Sequence, residues 1–147
     1  MTQEQKDLLL KDLSARLPYG VKIQLTEYSD LTGEKLPNKI KILDYCMLGR
    51  VQAYCKGFRK DEIKPYLFPL SSMTDKQKEE LFFNYIHNDI YFDDFTDYFL
   101  AGELWHDICV SIDVLPELIN WLNKHHLDWR GLIPKGLAKD ATGLNIY

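Results

Sequence analysis

"KIKILDYCMLGRVQAYCKG", residues 39–57, is the stretch whose reading decides the fold. Taken as two strands, "KIKILDYCML" and "RVQAYCKG", broken at Gly49, it forms a hairpin and makes the first half of the chain largely β. In that reading Ile40 and Ile42 point to the core while Lys39 and Lys41 share the solvent face. On the second strand Val51, Ala53 and Cys55 turn inward. Arg50, Tyr54 and Lys56 then join the two lysines on one polar surface.

The flanks support a small sheet. "VKIQLTEY" alternates Val21, Ile23 and Leu25 against Lys22, Gln24 and Thr26, the period of a half-buried strand. "SDLTGEKLPN" supplies turn chemistry around Gly33 and Pro37. "DEIKPYLFPL" reads as a turn leading into an edge strand, because Pro65 and Pro69 lack the N–H that a central strand needs.

Helices bracket this region. Thr2 and Gln5 have capping-box spacing, and Leu9, Leu10, Leu13 and Leu17 follow at helical period until Pro18 and Gly20 stop them. "TDKQ" opens a second helix, with Leu81, Phe82, Tyr85 and Ile86 as its stripe. In "NYIHNDIYFDDFTDYF" (84–99), Tyr91, Phe92, Phe95, Tyr98 and Phe99 fall on one helical face and Asp93, Asp94 and Asp97 on the other. "ELWHDICVSI" fits helix and strand periods equally. Asp113 is placed to cap a last helix buried through Leu115, Leu118, Ile119 and Leu122. The Gly- and Pro-rich tail from Asp128 reads as irregular.

A helix, several strands and a helical half argue α+β in one domain, 1–147, with a helix-plus-β part (1–72) and a helical part (73–147) packed on it. The β part is expected to be a small twisted antiparallel sheet or a Tudor-like barrel over residues 20–70.

Function is bounded more by exclusion. The composition, 46% hydrophobic and 27% charged, is ordinary for a soluble globular protein. No apolar run reaches membrane-spanning length, and the start lacks signal-peptide character, so no membrane and a cytoplasmic location are expected. Cys46, Cys55 and Cys109 match neither a disulfide framework nor a zinc knuckle and read as buried reduced thiols. There is no phosphate-binding glycine loop, nucleophile elbow or calcium loop, so no cofactor and no metal are expected. The adjacent His125 and His126 point apart on a helix and suit its C-terminal end.

Charge is uneven. The net of −4 divides into +4 over residues 1–78, −10 over residues 79–123, which hold no Lys or Arg, and +2 over the remainder. Residues 35–64 are basic, with Tyr45, Tyr54 and Phe58 interleaved. Lys39, Lys41, Arg50, Tyr54 and Lys56 are therefore candidates for holding single-stranded nucleic acid. Asp93, Asp94 and Asp97 are candidates for an acidic partner surface. A metal-dependent hydrolase using the acidic 87–107 stretch with His87 or His106 is the alternative of another class.

Three blocks, "LLLKDLSARLPYGVKIQ" (8–24), "EIKPYLFPLSSMT" (62–74) and "INWLNKHHLDWRGLIPKGLA" (119–138), resemble a group of short proteins encoded in gut Bacteroidetes genomes, prophages and mobile elements. Phe68 stands where that group more often has Arg, and "KDATGLNIY" stands in place of its acidic tail. The resemblance implies an intracellular accessory protein associated with phage or mobile elements, and no chemistry. The expected protein is a small non-enzymatic binding or adaptor module, its partner a protein or single-stranded nucleic acid.

Overall fold

The computed structural model of the chain describes residues 1–58, 60–85 and 113–147. The expectations for Ile86, His87, Asp93, Asp94, Asp97, His106 and Cys109, the aromatic face at 91–99 and the 104–112 ambiguity lie outside them. The fold is α+β, and its residues divide into two compact units, 1–67 with 130–147, and 68–129.

The first unit begins with α1 (Gln3–Arg16), whose capping box is complete: Gln5 N donates to Thr2 Oγ1 and Thr2 N to Gln5 Oε1. Leu9 and Leu13 are buried, and Leu10 and Leu17 pack beside them. A 3-10 turn at Leu17–Tyr19 carries Pro18, and Gly20, at φ 65°, makes the left-handed exit that a side chain would resist.

Four strands follow in the spatial order β2-β1-β3-β4: β1 (Lys22–Thr26), β2 (Lys39–Ile42), β3 (Glu62–Leu67) and β4 (Lys139–Asp140). The sheet is open and mixed. β1 pairs antiparallel with β2 and β3, and β4 pairs parallel with β3 through Tyr66 and Leu67 only. The barrel alternative therefore gives way to an open sheet. β3 is not an edge strand. Pro65 is tolerated there because the β4 ladder leaves it out.

The hairpin expected at 39–57 is not formed. The chain leaves β2 at Ile42 and enters α2 (Tyr45–Cys55), with Asp44 as N-cap accepting from Met47 N at 2.7 Å. Val51 and Cys55, four apart, are buried on one face, whereas Cys46 is exposed, contrary to the expected buried thiol. Gly49 is a mid-helix residue with open space where a Cβ would stand. Gly49→Ala should thus raise stability by about 0.5–1 kcal/mol, read as a higher denaturant midpoint at unchanged slope.

Apart from β4 the tail is irregular in secondary structure, and from Arg130 onward it belongs to the first unit. Leu132, Leu137 and Ala138 join the core of Leu9, Leu13, Ile23, Leu25, Ile63 and Leu67. Tyr147 accepts from Lys22 N (3.0 Å) and donates to Tyr66 O (2.7 Å), and burial pushes its hydroxyl pKa up to about 12. Arg130 reaches Asp12, which is also paired with Arg16.

The second unit contains α3 (Asp75–Tyr85) and α4 (Leu115–Lys124). Thr74 and Gln77 close the second capping box as expected. α4 is capped at Val114, not Asp113, with Pro116 in its first turn. Its buried residues are Leu118, Trp121, Leu122 and Asn123, and Ile119 is only half-buried. His125 is the C-cap, with Nδ1 3.3 Å from Gln77 Nε2 and its pKa pushed down by burial. His126 follows at φ 55°, and Phe68 bridges to this turn through its N–H to His126 O and its carbonyl to Asp128 N.

Candidate functional site

The five basic-surface candidates do not form one face of a hairpin. Lys39 and Lys41 lie on β2, and Arg50, Tyr54 and Lys56 lie on α2. Arg50 is committed locally: its guanidinium pairs with Glu27 and, at 3.1 Å, with Asp61. Lys39 also pairs with Glu27, at 2.6 Å. These bonds, Lys39 first and then Arg50, hold the Glu27 pKa at about 2. Tyr54 is half-buried and lines a hollow of about 250 Å³ with Glu62, Lys64 and Lys135. Lys56 ends α2, exposed, with its N–H donating back into the helix. The hairpin face meant to join these residues is absent; Glu27 still brings Lys39 and Arg50 together across two elements, but as the carboxylate that neutralises them.

What the structure does present is the β1–β2 arm. Every residue from 30 to 42 is exposed. Gly33, at φ 70°, turns the arm, with Gly33 N donating to Ser29 O (2.8 Å). Thr26 Oγ1 donates to Asn38 Oδ1 at 2.7 Å, and Leu36 N to Glu27 O at 2.8 Å, so the arm is tied at its base. β2 itself is the outermost strand and contributes nothing buried.

Register fixes which side chains share a face, since residues directly opposite each other do so. Lys41 lies beside Ile23, and Lys39 beside Leu25, both of which are buried core residues. Ile40 lies beside Gln24, and Ile42 beside Lys22, on the opposite face. The expectation for Ile40 and Ile42 is therefore reversed: they are 51% and 59% exposed. Leu43 explains the reversal. It has the parity of Lys39 and Lys41, is buried, and its N–H donates to Val21 O at 2.9 Å. A strand that must deliver Leu43 to the core turns Ile40 and Ile42 away from it.

Along its free side β2 offers backbone N–H and C=O groups with no strand paired to them among the described residues. Lys41 makes no ion pair with any described residue, whereas Lys39 shares Glu27 with Arg50. Among the described residues no three His, Cys, Asp or Glu side chains converge to hold a metal ion. No described helix is long and apolar enough to cross a membrane. No protein-family model, curated protein or solved structure matches this chain.

Proposed function

We propose that this chain is a small non-enzymatic binding module whose partner is a protein, engaged along the exposed edge of β2. One observation carries the reading. An ordered strand tied to the sheet by a full antiparallel register leaves both of its isoleucines in solvent. Such residues add no core, and exposed apolar groups beside an open sheet edge suit strand addition by an extended segment. Nucleic acid is the weaker partner, because Arg50 is held by two carboxylates. An intracellular accessory role tied to phage or mobile elements is supported only by the resemblance of the three sequence blocks.

The test is selection from a displayed library of random peptides, run against the wild-type chain and against Ile40→Thr/Ile42→Thr. Threonine keeps the β-branched shape that strands favour, so stability should fall by less than about 1 kcal/mol. Enrichment on the wild type that disappears on the variant supports the reading. No enrichment, or equal enrichment on both, overturns it.

A further inference from the structure

We infer that the β2 edge takes an extended protein segment in which acidic and apolar residues alternate; this rests on the protein-binding reading above. A strand laid against β2 places its residues directly opposite those of β2, with side chains to alternating faces. On one face the incoming chain meets Lys39 and Lys41, and on the other Ile40 and Ile42. The complement of that pattern is a carboxylate, then an apolar side chain, then a carboxylate. Lys41, exposed and without an ion-pair partner among the described residues, supplies most of the charge selection. Lys39 contributes less because Glu27 already accepts from it at 2.6 Å.

The same residues disfavour other occupants. A second copy pairing antiparallel with matched faces, at the registers that use most of the strand, sets Lys41 against the other copy's Lys39 or Lys41. Like charges directly opposite are destabilising, which is how lysines on an edge strand discourage self-pairing. Single-stranded nucleic acid would satisfy the lysines, but its phosphates offer no complement to Ile40 and Ile42. An acidic, apolar strand satisfies both faces and the backbone edge at once.

The probe is a labelled synthetic peptide of about eight residues alternating Val and Glu, long enough to overhang a four-residue strand at both ends. Its binding is read by fluorescence anisotropy at low salt. It should bind the wild type at least about tenfold more tightly than a peptide of the same composition arranged in blocks, since cross-strand matching requires the alternation. Lys41→Glu should weaken the Val/Glu peptide by about tenfold and strengthen a Val/Lys peptide, because the like-charge contact has been moved from one ligand to the other. Equal affinity for alternating and block peptides, or indifference to Lys41→Glu, overturns the inference while a positive library selection leaves the protein-binding reading standing. Failure of every peptide, with an empty selection, overturns both. Self-association of the chain at the same concentrations, or tighter binding of a labelled oligonucleotide, also counts against the inference.

Discussion

Asp12→Ala should destabilise the first unit by about 3–5 kcal/mol, the range for leaving a buried charge without its partner. Asp12 and Arg16 are both fully buried, with Arg16 Nε 2.7 Å from Asp12 Oδ2. Arg130 NH1 lies 3.2 Å from the other carboxylate oxygen, Oδ1. One carboxylate thus serves two guanidinium groups, one from α1 and one from the tail. Burial pushes the Arg130 pKa down and Asp12 opposes that, so loss of Asp12 leaves two cations in a site that disfavours charge. Asp12→Ala/Arg16→Met should be less destabilising than Asp12→Ala alone, because one of the stranded charges is gone. Urea denaturation followed by far-ultraviolet circular dichroism measures both variants. A change below about 1 kcal/mol in Asp12→Ala would mean that the cluster is solvated and contributes as little as a surface pair.

That cluster also shows where the sequence misleads. An Asp and an Arg four residues apart on a helix ordinarily mark a solvent-facing pair. Nothing in "LLLKDLSARL" says that a tail more than a hundred residues away supplies a second arginine. Local signals fared better wherever a backbone group had a local partner. Thr2 with Gln5 and Thr74 with Gln77 are both complete capping boxes, and Val21, Ile23 and Leu25 alternate inward as their period requires.

The stretch at 39–57 failed for a physical reason. Ile40 and Ile42 suggest a buried face, but Leu43 has the opposite parity and occupies the core. Asp44 is the helix-start signal, with Met47, Val51 and Cys55 following at helical spacing toward the core. Gly49 outweighed it as an apparent break, although an isolated glycine within a helix costs only about 1 kcal/mol. The candidate site followed the same error. Lys39 and Lys41 are exposed as expected, but the arginine meant to join them belongs to a helix and serves two carboxylates. The alternation in the sequence assigns to the core the two isoleucines that are exposed and now stand at the centre of the proposed site. Their true side was legible only by giving Leu43 precedence over the alternation before it.

In the second unit the expected α4 stripe holds at Leu118 and Leu122 but omits Trp121, the residue that should matter most. Trp121→Ala is expected to destabilise this unit by about 3–5 kcal/mol. Trp121 is only 6% exposed, and its Nε1 donates to Glu80 Oε1 at 2.9 Å. Its ring also lies 4.3 Å from the His125 ring and 6.3 Å from that of Tyr85. Trp121→Phe keeps most of the apolar bulk and loses the bond to Glu80, so a smaller loss of about 1–2 kcal/mol is expected. A second readout separates packing at this position from a general loss of fold. Burial pushes the His125 pKa down, and the adjacent indole is part of what buries it. In Trp121→Phe, which should remain folded, the smaller ring admits water, and the His125 pKa should rise toward its ordinary value in an NMR titration. For a histidine held below its ordinary pKa, the folded state favours the neutral form. That stabilisation is present above the unfolded value and is lost as pH falls through the folded one. The variant should therefore lose less stability than the wild type on acidification through this window. An unchanged His125 titration together with a Trp121→Ala effect below about 1 kcal/mol would place the indole outside the packed centre of α3 and α4.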